Sequence, residues 1–173
     1  MARRRQVQSR DCQRCSANNK KGNQCARRTC KIADVCWQHL KSIHHLQVKK
    51  SGIPGAGLGL FTTEDIKVPR GTQPKKIVQY SKENQYMRPV TKAEIDHRYG
   101  NGIGVYVWCK SERECYDAKS TMSTNARRAN ACDRPRHRCP CNAKINRNGW
   151  IVAIRSIKKG QEIFVPYGRD YWG

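Results

Sequence analysis

Acidic side chains are scarce in this 173-residue chain: Asp and Glu number 13 against 35 Lys and Arg, for a formal net charge of +22. A field of that size draws in polyanions, nucleic acid above all, with a binding that weakens steeply as salt rises. Long apolar runs are missing too. No stretch approaches the roughly 20 residues that cross a bilayer. The basic start MARRRQVQSR has no apolar segment behind it, so it does not read as a secretory signal. Together these absences predict an intracellular protein with no membrane partner. The phosphate-cradling pattern G-x-x-x-x-G-K-[ST] is also absent: no Lys-Ser or Lys-Thr follows the glycines of SGIPGAGLGLF. Nor do the segments after them alternate strand and helix as a dinucleotide-binding unit would.

Cysteine, by contrast, is plentiful at ten, and in a reducing compartment clustered cysteines are more often metal ligands than disulfides. Charge is unevenly spread. Residues 1–50 hold 13 Lys/Arg against 2 Asp/Glu, and residues 51–173 hold 22 against 11, a surplus of +11 in each. The much denser N-terminal charge divides the chain into a basic Cys/His module, 1–48, and a larger domain, 49–173.

The module's line, CQRCSANNKKGNQCARRTCKIADVCWQHL, has few aliphatic residues and cannot bury a core of its own. A metal staple is the usual remedy. Cys36 and His39 form a compact ligand pair, Cys15 and Cys25 precede it, and Gly22 suits the turn between those two. Four such ligands close a tetrahedral Zn2+ site. Cys12 and Cys30 remain alternates, because Cys12-x2-Cys15 is itself a ligand spacing. The pattern is similar to small zinc-binding modules that read C-x-A…K-K-G-x-x-C-x-R…C-W-x-H. Arg27, Arg28 and the Arg3–Arg5 run would then stand on a rigid knob as a phosphate-binding surface. HLKSIHHLQVKK reads as a short amphipathic link, with His44 and His45 on the surface.

The larger domain reads as mostly β. Gly52, Gly55, Gly57 and Gly59 make a tight turn into a strand at Leu60-Phe61, VPRGT is a turn, and KKIVQY is a short strand. TKAEIDHRYG predicts a short helix capped by Thr91. GVYVWC and ECYDA predict a hairpin with KSER at its tip, and NGWIVAIRSIKKGQEIFVPYG predicts two further strands turned at Lys159-Gly160. The stretch from Asp117 to Asn142 fits neither period. It sets Asn125, Arg127 and Asn130 among Ala118, Ala126, Ala129 and Ala131, small residues whose backbone a ligand can approach closely.

These pieces together resemble the SET domain of protein lysine methyltransferases. GLG at 57–59 with Leu60-Phe61 is similar to that family's opening G-x-G-hydrophobic-F, and IVQY to its V-x-E-Y strand. Asp117-Ala118, thirteen residues ahead of Asn130, resembles its run from D-A to R-x-x-N-H-S, with Arg127 in the place of that Arg. KKGQEIFVPYG resembles its closing G-E-E-L-x-x-D-Y-G. The resemblance implies a fold of small β-sheets with a threaded, knot-like C-terminal segment. It also implies S-adenosyl-L-methionine as methyl donor, and a lysine that enters through a narrow channel from the opposite face.

Carried over by position, the resemblance makes Tyr167 the catalytic tyrosine and puts Tyr80 and Val165 along the lysine channel. Gly57, Leu58 and Gly59 would bind the cofactor largely through backbone. Asn130 and Ala131 would hold its adenine and amino-acid ends, with Arg127 nearby. Tyr106 and Trp172 are further cofactor candidates, with core packing as their alternative role. The chain departs from the family at Ala131-Cys132, where His-Ser is usual, at Pro166 in place of an acidic residue, and in an insert over about 134–139. That insert brings His137 and Cys139 near Cys132 and Cys141, which raises a second metal site, with Cys109 or Cys115 as further ligands. The channel-closing extension of many relatives is expected to be replaced by the DYWG tail, the zinc knob, or a partner such as a second copy in a homodimer.

The expected function is methylation of a histone lysine, or of another basic protein, by an enzyme held on DNA or chromatin by its basic zinc module. The alternative is a degenerate SET scaffold that binds or packages nucleic acid. Chromatin or the nucleus is the expected location, or a host nucleus or virion for a viral source.

Overall fold

Among the described residues, four small antiparallel sheets, rather than one large one, form the fold. The computed structural model describes residues 12–30, 35–80, 89–100, 106–119, 125–131 and 140–167. The mostly β architecture expected from the short, turn-bounded segments is found.

In the N-terminal module, β1 (Cys12–Arg14) pairs with β2 (Arg28–Cys30), with Cys12 opposite Cys30. The loop between them turns where the Asn19 side chain accepts from the backbone N–H groups of Lys21 (2.9 Å) and Asn23 (3.1 Å), and Gly22 supplies φ +80°. The segment expected as a short amphipathic link forms a helix and a strand. Helix α1 (Trp37–His44) starts inside the Cys36/His39 pair and ends at His45, whose left-handed φ of 52° lets its N–H reach Leu40 O. Strand β3 (Leu46–Lys50) follows at once and pairs with β4 (Leu58–Thr62) over five registered residues, so a strand spans the expected junction at 48/49.

Beyond β4, β5 (Lys75–Gln79) joins β9 (Trp150–Ala153) and β8 (Ala143–Ile145) in the order β5-β9-β8. Helix α2 (Lys92–Tyr99) opens with the capping box in which Thr91 and Glu94 satisfy each other's backbone N–H groups, and it buries Ile95. The hairpin of β6 (Val107–Ser111) and β7 (Glu114–Asp117) has a bulge between Cys109 and Ser111. Its tip is therefore Glu112-Arg113, shorter than the expected KSER.

The largest difference from expectation is at the C-terminal end. The turn at Lys159-Gly160 is present, but the residues after it do not form a strand in a ladder. Ile163 N–H bonds to Leu60 O (2.7 Å), Phe164 O accepts from Ala143 N–H (3.0 Å), and Val165 N–H bonds to Asn130 O (3.0 Å). Three consecutive residues thus bond to three different segments, the threaded arrangement expected of this fold. Ile163 and Val165 are fully buried with Leu46, Leu60, Ile95, Ile151 and Ile157, each such side chain contributing about 1.5–3 kcal/mol on removal from water. An apolar alternation of two in IFV signals a strand. Only the tertiary packing decides that its backbone groups are shared out among several partners.

Candidate active site and metal centre

The thread positions the site. Glu162 is buried at 6% exposure and accepts from Ser51 Oγ (2.7 Å), Gly52 N–H (2.9 Å) and Asn130 Nδ2 (3.0 Å). The same Asn130 amide donates to Leu58 O at 3.1 Å. One carboxylate therefore ties the glycine-rich turn, the Asn130 segment and the C-terminal thread together. A buried carboxylate is tolerated because its donors are in place. Asn142 braces the other side: its Nδ2 donates to Glu162 O (2.8 Å) and its Oδ1 accepts from Phe164 N–H (2.9 Å). Two residues beyond Val165, the Tyr167 hydroxyl donates to Ala129 O at 2.9 Å.

A second cluster is aromatic. The buried Tyr80 donates its hydroxyl to Tyr106 O (3.0 Å), and its ring lies 6.3 Å from that of Trp108 at 56°. Trp108 in turn stacks on Tyr116 at 5.6 Å and 18°. The guanidiniums of Arg127 and Arg128 both lie 5.5 Å from the Tyr106 ring centroid, and Arg128 Nη1 donates to the Tyr106 hydroxyl (3.0 Å). Arg127 is buried. Its Nη1 donates to Ala118 O (2.8 Å) and Lys119 O (3.3 Å), clamping the Asp117-Ala118 turn to the short 3-10 helix Asn125–Arg128. Burial, and then the neighbouring Arg128 charge, lower its pKa from the ordinary arginine value.

Of the residues expected in the site, Gly57, Leu58 and Gly59 meet Asn130 through the Leu58 carbonyl, and Val165 meets the same segment through backbone. Tyr167 reaches it at Ala129, and Ala131 is buried next to Asn130. Tyr80, Tyr106 and Arg127 fall in the aromatic cluster. Trp172 lies outside the described residues, as do Cys132, His137 and Cys139. Cys109 and Cys115, offered as further metal ligands, face each other across the β6–β7 hairpin and form a disulfide, which removes both from any metal site. Sequence reasoning missed the roles of Glu162 and Asn142, although Glu162 stands inside the closing KKGQEIFVPYG motif and Asn142 ends the Asp117–Asn142 stretch. It also missed Trp108, whose signal was one more aromatic in a strand with Tyr106.

In the N-terminal module, Cys15, Cys25, Cys36 and His39 converge, with their ligand atoms all within 4.8 Å of one another. His39 Nδ1 lies 3.3 Å from Cys15 Sγ and 3.4 Å from Cys36 Sγ. Those distances suit Zn–S and Zn–N bonds of about 2.3 and 2.0 Å, whose tetrahedron has N–S edges of roughly 3.5 Å. Burial pushes the Cys15 thiol up. Cys36 precedes the first turn of α1. Burial also opposes its thiolate, but hydrogen bonds from the His39 and Gln38 N–H groups and from the Cys15 and Cys25 thiols prevail and lower its pKa. Three thiols and an imidazole held this closely are the donor set of a structural zinc centre. Cys12 and Cys30 stand opposite each other on β1 and β2.

The SET domain family model matches residues 57–168, well over half of the chain. This chain belongs to the SET-domain family, the lysine methyltransferase family its motifs resemble. Among solved structures it is similar to the Neurospora SET domain protein DIM-5, a histone lysine methyltransferase. The identity is 19% and the TM-score 0.49, over 72% of this chain and 52% of that one. The chain thus spans about half the length of that structure. No curated protein matches it. Among the described residues, no helix is long and apolar enough to cross a membrane.

Proposed function

We propose that this protein is an S-adenosyl-L-methionine-dependent protein lysine methyltransferase that acts on a histone lysine or another basic protein. The observation that carries this reading is the Asn130 amide, which joins the Leu58 carbonyl of the glycine-rich turn to Glu162 while Tyr167 reaches the adjoining Ala129 carbonyl. Backbone at Gly57, Leu58 and Gly59, with Asn130 and Ala131, would hold the cofactor, and Tyr106, Arg127 and Trp172 would flank it. When bound, the cofactor supplies an electrophilic methyl group on a sulfonium. The chain's own residues must then align, desolvate and orient. Tyr80 and Val165, both buried, would form walls that disfavour the charged ammonium and so favour the neutral, nucleophilic amine. The Tyr167 hydroxyl and nearby carbonyl oxygens would orient the methyl by weak C–H···O contacts.

The Cys15/Cys25/Cys36/His39 centre would hold Zn2+ and stiffen the basic module, which would keep the enzyme on DNA or chromatin, in a nucleus or a virion. Such a tether also answers a physical difficulty: a protein with a net charge of +22 repels a basic histone tail unless a polyanion mediates their meeting. A second copy in a homodimer would line part of the lysine channel.

One observation favours a second reading, a degenerate scaffold that binds nucleic acid. The position usually held by histidine is the buried Ala131, with no polar side chain of its own. Calorimetric titration of S-adenosyl-L-methionine into the zinc-loaded protein, at moderate salt and without nucleic acid, separates the two. One-to-one binding in the micromolar range, followed by methyl transfer to histones, is expected of the enzyme. No binding by a demonstrably folded protein would establish the scaffold.

A further inference from the structure

An open groove of about 1250 Å³ runs across the metal-binding module. Its cations are Lys20, Arg27 and Lys41, its amides are Asn18, Asn19 and Gln38, and no Asp or Glu is among its described lining residues. Glu64 stands outside that lining, 3.2 Å from the rim residue His45. The groove also contains Trp37, 67% exposed, with the Arg27 guanidinium 5.8 Å from its ring centroid. A large aromatic left this open has no role in a core.

The backbone of both members of that pair is tied to the ligand cluster. Trp37 directly follows the ligand Cys36 and opens α1, which carries the ligand His39. The Arg27 carbonyl accepts from the N–H of the ligand Cys15 at 2.9 Å. We infer that this groove binds single-stranded nucleic acid, with an unpaired base stacked on Trp37 and phosphates held by Lys20, Arg27 and Lys41. The inference rests on the proposed nucleic-acid tether and specifies its ligand. Positive charge alone would accept any polyanion. An exposed indole adds a stacking surface that only unstacked bases can use, and the Asn18 and Gln38 amides offer donors and acceptors to base edges. A duplex hides its base faces and would gain nothing from Trp37.

The test uses the full-length zinc-loaded protein with a fluorescent 20-nucleotide thymidine strand, a 20-base-pair duplex and poly-glutamate, each titrated over a salt series. The single strand should bind tighter than the duplex. Trp37→Ala should lower single-strand affinity by roughly 10- to 100-fold, leave duplex binding unchanged, and leave the salt dependence intact because no phosphate contact is lost. Trp37→Phe should retain most of the binding. The double change Arg27→Gln, Lys41→Gln should instead flatten the slope of log K against log salt by about 0.7 per phosphate contact removed. Zinc content and urea midpoint, measured on each variant, exclude unfolding as the cause.

Equal binding of the single strand by wild type and Trp37→Ala, or tighter binding of the duplex, would overturn the stacking site while leaving the tether standing. Poly-glutamate binding as tightly as the single strand would make the groove an acidic-peptide site. Binding of neither nucleic acid would overturn groove and tether together.

Discussion

The carboxylate of Glu162 fills the space that a side chain at residue 59 would need. A Cβ built on Gly59 would lie far inside van der Waals contact distance of Glu162 Oε1 and 2.7 Å from its Cδ. Gly59 is therefore a close-approach glycine. Gly57 differs: its φ is +71° and open space surrounds it, so the turn itself is what it serves.

Gly59→Ala should destabilise the protein by about 1–3 kcal/mol through overpacking. Glu162→Ala should also be costly, since it strips acceptors from Ser51, Gly52 and Asn130. The double variant should lose clearly less than the sum of the two, because the clash disappears with the carboxylate. Urea midpoints measure all three. Additive losses would show that the Gly59–Glu162 approach is not the cause.

Tyr167→Phe should lower methyl transfer to histones by at least about 100-fold. On the protein itself it removes the 2.9 Å contact to Ala129 O, a bond whose loss should lower stability by about 1 kcal/mol. Transfer of labelled methyl groups and a urea melt give the two numbers. Near-normal activity would remove Tyr167 from the chemistry.

Metal analysis of protein washed with a weak chelator should find about one zinc per chain. Cys25→Ser and His39→Ala should lose it, whereas Cys30→Ser should keep it. Because the ligands bind in deprotonated form, zinc should be released as pH falls. Retention of zinc by His39→Ala would mean that the ligand set differs.

Asn125 is 2% exposed, its amide Nδ2 and Oδ1 have no hydrogen-bond partner among the described residues, and it borders a cavity of about 570 Å³ lined in part by Val35, Leu40, Val48 and Leu58. An unpaired buried amide costs about 1–3 kcal/mol. Asn125→Leu should therefore raise thermal stability by several degrees, as read by calorimetry. A loss of stability would mean that the amide is satisfied in solution.

Burial, reinforced by the 2.6 Å hydrogen bond to Asp117, pushes the Tyr99 phenol up to about 12 from its ordinary 10. The folded state keeps this proton after the unfolded chain has lost it, so the group's contribution is whole below pH 10 and is lost as pH rises toward 12. Absorbance titration of the phenols should lose a late component in Tyr99→Phe. The difference in stability between wild type and that variant should shrink across the same interval. A difference constant with pH would refute the linkage.

The elements legible in the sequence were those set by local chemistry. Thr91 and Glu94 cap α2 wherever that helix packs, and Gly22 with Asn19 turns the knob without outside help. Two of the motifs meet in space, since Asn130 of the R-x-x-N run donates to the Leu58 carbonyl of the opening G-x-G. The Cys15/Cys25/Cys36/His39 group was legible as a spacing, but that same spacing left Cys12 and Cys30 open, and only the geometry showed that the ligand atoms of these four converge.

What only the tertiary structure decided involves partners distant in the chain. Ser51 and Glu162 are 111 residues apart, and no local pattern marks one carboxylate as the hub of three segments. The alternation in Ile163, Phe164 and Val165 predicts a ladder. The thread forms instead because each residue's backbone finds a different neighbour, and an apolar period encodes burial but not the identity of hydrogen-bond partners. By itself the sequence determined the family, the local turns and caps, and the residue types available for chemistry. The tertiary structure decided which of them meet, because distance in space follows from packing rather than from order along the chain.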